Sequence, residues 1–285
     1  MTIAASIWGL YWVPIHYLEG FGISGISAVA LINVIPAIVL LGLTSLQWRD
    51  HRGTFGRAAL VGFVAGLGFA LYSLGIVYGS VVRTTLLFYL TPIWSTIIGI
   101  LWLSEQTTWR RWLAIATGLL GLSLLVSGGT NTQIGIGDIF AFVSGIVWAV
   151  AATLIRANPS LPLPSMAGTQ FAATAITTCA VGYILGAQTP TYAAFASALP
   201  VATAVTLVFF LPSVIAIFWA QKRLFPGRAG LLMMSEALVA VVSAALWFPE
   251  ERLQALQWVG AIMIVSTFFI ETMGTPQKKV ALKQA

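Results

Sequence analysis

Charge is scarce in this sequence. Of 285 residues only 8% are Asp, Glu, Lys or Arg, against about 25% in an ordinary soluble domain. So few charges cannot cover a water-facing surface, which excludes soluble enzymes, nucleic-acid-binding modules and disordered chains. Cysteine occurs once, at Cys179, so there is no intrachain disulfide and no secreted disulfide scaffold; within its apolar run the thiol is expected to be a small buried hydrophobe. Histidine occurs only at His16 and His51, and two lone histidines far apart do not make a metal site. A P-loop, an Asp-rich metal motif, H-E-x-x-H and G-x-S-x-G are all missing, so no enzyme, no bound metal or other cofactor and no built-in ATP drive is expected. What is abundant is apolar side chain: the AVILMFWYC set makes up 59% and mean hydropathy is +0.94. An integral membrane protein is the class that remains.

A helix needs about 20 apolar residues to cross a hydrocarbon core roughly 30 Å thick. Apolar runs at 2–17, 23–46, 57–79, 81–103, 108–127, 138–156, 164–186, 198–221, 228–248 and 254–271 predict ten such spans. A period of two is absent, so helices are expected and not barrel strands. The first run carries Trp8, Trp12 and Pro14 and no small-residue cleavage site follows it, so it reads as a retained helix. Counting from a cytoplasmic N-terminus, twelve of the fourteen basic residues fall inside: Arg49, Arg52, Arg57, Arg110, Arg111, Arg156, Lys222, Arg223, Arg228, Lys278, Lys279 and Lys283. Arg83 and Arg252 fall outside. This asymmetry predicts an even span number with both termini cytoplasmic. The net charge of +6 thus reports orientation, and no nucleic-acid partner is expected.

The chain also resembles itself. Leu101-Trp102-Leu103-Ser104-Glu105 falls on Leu246-Trp247-Phe248-Pro249-Glu250 at an offset of 145, and Ile7-Trp8-Gly9 falls on Val147-Trp148-Ala149 at 140. Trp112-Leu113-Ala114 falls on Trp258-Val259-Gly260 once one gap is allowed. Five spans is an odd number, so the halves must be inverted relative to each other, the design of secondary transporters. The expected fold is therefore an all-α polytopic membrane protein of ten transmembrane helices, arranged as two inverted five-helix repeats (1–130 and 131–272) around a central cavity, with a cytoplasmic basic tail at 273–285.

The Trp8-Gly9 pair near the start of the first helix and the run L-T-P-x-W…L-x-L-S-E from Leu90 to Glu105 resemble the drug/metabolite transporter superfamily, EamA type. The opening I-W-G-L-Y-W-V-P at Ile7 to Pro14 and the density of Trp and Tyr look most like the YddG-type exporters of aromatic and other neutral amino acids. The resemblance implies a helical basket whose cavity is lined by the first four helices of each half, with the fifth and tenth at the periphery. It also implies export from the cytoplasm across a bacterial inner membrane. One departure is visible: Thr91-Pro92 falls on Glu236-Ala237, so that proline is not mirrored in the second half.

Several residues could carry transport. Trp8, Tyr11, Trp12 and Ile15 share one helix face; for Trp12 and Tyr17 an interfacial belt is the competing reading. Phe69, Tyr72, Tyr78, Tyr89, Trp94, Trp148, Phe209 and Phe210 are expected to point inward, since a hydroxyl or indole N–H needs a partner away from lipid. Glu236 stands alone in the middle of its span, where an ionised side chain costs roughly 2.5 to 3.5 kcal/mol on insertion scales, so it is expected to hold a substrate ammonium or a coupling proton, the competing reading being a neutral, protonated acid that bonds helix to helix. Asn33 and Gln170 could hold a carboxylate or amide, or simply bond helix to helix. Pro14, Pro36, Pro92 and Pro212 interrupt their helices and are either hinges or fixed bends. The pairs Gly62/Gly66, Gly75/Gly79 and Gly182/Gly186 read as packing seams. Arg83 and Asp138 fall at outer ends, where snorkelling suffices, and His16 is an interfacial histidine or a pH sensor. The expected function is export of neutral, preferably aromatic, amino acids by alternating access, as a monomer in the lipid bilayer. Cationic drugs or other small metabolites are the rival substrates, and an intramembrane enzyme or a passive channel the rival classes.

Overall fold

The computed structural model describes residues 1–126, 134–248 and 253–272. Glu250, Arg252 and the tail with Lys278, Lys279 and Lys283 lie outside the described residues. Within them every regular element is helical: α1 Thr2–Trp8, α2 Trp12–Glu19, α3 Gly25–Leu46, α4 Trp48–His51, α5 Phe55–Tyr78, α6 Val81–Phe88, α7 Thr91–Leu103, α8 Trp109–Val126, α9 Ile136–Ala157, α10 Leu163–Ile184, α11 Tyr192–Val205, a π-turn Thr206–Phe210, α12 Leu211–Gln221, α13 Pro226–Trp247 and α14 Ala255–Thr272. Among the described residues, six stretches are long and apolar enough to cross a bilayer: Gly25–Leu46, Phe55–Tyr78, Arg83–Leu103, Ile136–Ala157, Tyr192–Gln221 and Pro226–Trp247.

Caps and prolines set the helix limits. Ser24, Ser80 and Thr191 side chains accept the backbone N–H three residues on and start α3, α6 and α11. At three prolines the carbonyl left without its helical partner finds a substitute. Pro14 cannot donate to Leu10 O, which takes Val13 N instead at 3.0 Å, so α1 and α2 are joined by a tightened turn. Pro92 frees Phe88 O, and the Thr91 hydroxyl donates to it. Pro36 frees Ile32 O in the middle of α3, and Thr206, the first residue of the π-turn, donates its hydroxyl there at 3.1 Å.

Packing is closest around α5, which lies against α9 and α10, while α10 also lies along α3. A Cβ on Gly66 would run into Gln170 O and Ala173, and one on Gly68 into the backbone of Trp148. Close approach then allows Thr174 to donate to Gly66 O at 3.1 Å. α1 meets α13, α7 lies between α9 and α13, and α8 pairs with α14.

Four expectations are corrected. Cys179 is exposed on the outside of α10, and Phe209 is 50% exposed and faces away from the core; apolar side chains are equally at home against lipid and protein, so hydropathy does not orient them. Gly186 has φ +72 with no neighbour near its Cβ position. It closes α10, with Ala187 N bonded to Gly182 O at 2.8 Å, and is a cap rather than half of a seam. Arg83 and Asp138 do not snorkel apart but form an ion pair at 2.7 Å.

Candidate functional site

The helices converge on a chamber walled by Trp8 of α1, Phe69 and Tyr72 of α5, Phe88 of α6, Trp148 of α9, Gln170 of α10, Val214, Ile217 and Phe218 of α12, and Met233 and Glu236 of α13. Its volume is about 20 Å³, room for roughly one water. A solute therefore fits only if the walls move apart. Glu236 reaches it because α1 and α13 touch: a Cβ on Gly9 would collide with Glu236 O and Val239.

Aromatic rings build one side. Trp8 meets Phe69 edge-on at 4.6 Å, Tyr11 at 5.2 Å and Phe210 at 4.9 Å, and Tyr72 meets Phe88 at 4.8 Å. Behind them a polar layer fixes the rings. The Tyr11 hydroxyl accepts from Asn33 Nδ2 at 3.1 Å and from Ser73 Oγ at 3.4 Å, while Asn33 also donates to Val29 O at 2.8 Å. Tyr89 donates to Met233 O at 2.9 Å, one turn before Glu236.

Three of these wall residues, Trp8, Gln170 and Glu236, carry polar groups. Glu236 is 3% exposed. Trp8 Nε1 and Gln170 Oε1 are buried with no protein hydrogen-bond partner, although the Gln170 amide nitrogen donates to Thr174 at 3.4 Å. Buried donors and acceptors are nearly always paired; these two orphans belong to residues of the chamber wall, and other buried atoms, among them Asn33 Oδ1 and Trp94 Nε1, are likewise without a protein partner.

Of the sequence-predicted residues, Trp8, Phe69, Tyr72, Trp148, Gln170 and Glu236 line the chamber, and Tyr11, Asn33, Tyr89 and Phe210 stand directly behind its wall. Trp12 lies outside it, bonded to Ser243 Oγ at 3.0 Å and packed on Phe248 at 5.0 Å. Tyr78 sits against Phe140 at the end of α5, and Trp94 against Phe142 between α7 and α9. Pro14 and Pro92 flank the breaks beside Tyr11 and Tyr89, and Pro212 follows the π-turn. Phe88, Phe218 and Met233 were not anticipated. Met233 is three residues before Glu236, hence on its helix face, and that spacing was the available signal.

A second buried acid lies at the end of α7. Ser104 adopts a left-handed conformation (φ 51), which turns the chain so that Glu105 N bonds Gly99 O at 3.0 Å. The Glu105 carboxylate then pairs with Arg111 of α8.

A family model described as the EamA-like transporter family matches residues 1–127 and 135–272. The chain is 23% identical over 247 residues to "Uncharacterized transporter YyaM" of Bacillus subtilis (strain 168), covering 83% of this chain and 78% of that one. A solved crystal structure superposes with TM-score 0.66 at 15% identity, covering 95% of this chain and 96% of its own.

Proposed function

The chain belongs to the EamA-like transporter family, and on that premise we propose that it exports neutral, preferably aromatic, amino acids across a bacterial inner membrane by alternating access. In this reading α1–α2, α6–α7 and α11–α12 each form one broken span, giving ten spans in two inverted halves with both termini cytoplasmic. The basic residues of the α3–α5, α7–α8, α9–α10 and α12–α13 connections then all face the cytoplasm. The protein works as a monomer.

The observation that carries the substrate class is the trio in the chamber. A zwitterion brings a carboxylate for the unpartnered Trp8 N–H, and an ammonium for Gln170 Oε1 and the Glu236 carboxylate. Its side chain then lies among Trp148, Tyr72, Phe69 and Phe88, where each ring contact contributes about 0.5 to 1.5 kcal/mol. Small-molecule sites typically enclose about 300 to 1,000 Å³, so the small chamber is a contracted stage that widens toward one membrane face and then the other. Pro14, Pro92 and Pro212 mark where the wall helices are already interrupted.

Flux of labelled tryptophan into liposomes holding the purified protein tests this. Saturable flux is expected, competed by threonine and methionine and not by a quaternary-ammonium drug. Competition by the drug alone would replace amino acids with cations as the substrate. Glu236→Gln keeps the size of the side chain and removes the charge, so flux is expected to fall about tenfold or more, as for a hydrogen bond to a charged group. Unchanged flux in a folded E236Q protein would remove Glu236 from substrate binding.

A further inference from the structure

At the basic end of the bundle a second, larger cavity opens beside α12, away from the chamber. It encloses about 990 Å³ between the ends of α7, α9 and α12. Its walls carry Arg156, Lys222, Arg223, Trp219, Phe225 and Leu103. We propose that this cavity binds the phosphate headgroup of an anionic phospholipid. The proposal requires only that the chain lies in a bilayer and is independent of what it transports.

Three cations converge here without acidic company. Among the described residues the ion pairs are Arg83–Asp138 and Glu105–Arg111, and neither touches this cavity. Each cation is held in place by neutral partners. Arg156 donates to Lys222 O at 2.7 Å and lies over the Phe225 ring at 4.9 Å. Arg223 donates to Trp219 O at 2.9 Å and lies over the Trp219 ring at 3.9 Å. Lys222 donates to Leu161 O. Each guanidinium has five N–H donors and these bonds use few of them, so donors remain for phosphate oxygens. Burial, and then the neighbouring Arg223 charge, hold the Lys222 ammonium below the usual lysine range. A bound anion would offset both.

The position favours a lipid over a soluble anion. Phe218 and Gln221 face the protein interior, whereas Trp219 on the opposite side of α12 is 51% exposed. Leu101 and Trp102, immediately before Leu103 on α7, are 73% and 60% exposed. Acyl chains can therefore run along an apolar outer surface directly from a headgroup seated between Arg156 and Arg223. Basic pockets between membrane helices bind such headgroups, with about 1 kcal/mol, or about fivefold in affinity, per Lys or Arg near the surface.

Native mass spectrometry of the delipidated full-length protein tests the assignment, with phosphatidylglycerol, phosphatidylcholine of the same acyl chains, and inorganic phosphate as probes. Phosphatidylglycerol is expected to be retained and phosphatidylcholine not. R223Q gives up only a bond and a ring contact to Trp219 within its own turn and should weaken retention about fivefold. The triple variant R156Q/K222Q/R223Q should weaken it on the order of a hundredfold. R49Q/R52Q/R110Q removes the same charge from exposed positions at the same end, and should change retention less than twofold if the cavity is the site. Equal losses in the two triple variants would reduce the effect to general surface charge and overturn the proposal, as would equal retention of the two lipids. Displacement of phosphatidylglycerol by inorganic phosphate would make the cavity a soluble-anion site instead.

Discussion

α5 touches its neighbours through glycine: Gly62, Gly66, Gly68 and Gly75 each bring its backbone against α9, α10 or the Thr84 side chain. The rod from α11 through the π-turn to α12 contributes three residues of the chamber wall to the two of α5 and has no glycine in Tyr192–Gln221. It has Pro200, Pro212 and a π-turn instead. Burial differs accordingly: 67% of the most apolar stretch of α5 is buried, and 39% of the corresponding stretch of the rod. Both are interrupted or patterned by residues that weaken isolated helices, yet the outcomes are opposite. Glycines facing a partner convert into backbone contact, where dispersion and Cα–H contacts accumulate without a hydrophobic driving force from lipid. Prolines and a π-turn loosen the helix's own bonding and must be repaired from outside, as Thr206 does for Ile32 O. In a transporter, the first arrangement suits a fixed wall and the second a wall that moves.

The largest effect should come from spoiling the tight side. Gly66→Val places a branched side chain on Gln170 O and Ala173 and should cost about 3 kcal/mol or prevent folding, as overpacking does. The partner measurement is Ala204→Val on the exposed face of the rod, expected to stay within about 0.5 kcal/mol. Thermal unfolding of both in detergent decides the matter; similar losses would abolish the contrast between the two walls. Next in size is Thr206→Val, which leaves Ile32 O buried and unbonded at a cost of about 1 to 2 kcal/mol. In a Pro36→Ala background the restored backbone N–H at that position can donate to Ile32 O itself, so the same change should then cost far less. A double-mutant cycle measures the difference, and the absence of coupling would show that Thr206 does not repair the Pro36 gap.

How much of this was legible in the sequence depended on rarity. Glu236 could be found because an acid within an apolar run is unusual, and Pro92 predicted the break between α6 and α7 because proline cannot continue a helix. Phe88 and Phe218 could not be singled out in a chain that is 59% apolar, whereas Met233 had its spacing from Glu236 as a signal. Phe209 and Phe210 make the limit plain: adjacent and identical, one is 50% exposed and the other 2%. Lipid is as apolar as a core, so amphipathic periodicity, which orients a helix in water, is muted here. The π-turn was invisible for another reason: its partner, Ile32 O, lies 174 positions away.

The smallest expected effect concerns the same α5 to α9 contact viewed through charge. Beside the place where Gly137 of α9 meets Gly79, Arg83 of α6 pairs with Asp138 at 2.7 Å. Its side chain is 31% exposed and that of Asp138 12%, so solvent screens the pair. Asp138 also accepts from Gly135 N at 2.8 Å and keeps that bond when the arginine is removed. Arg83→Gln should therefore cost less than about 1 kcal/mol. If Arg83→Gln instead destabilised the protein as much as Gly66→Val, the fixed wall would be held by an ion pair rather than by backbone contact, and its rigidity would fall with rising salt.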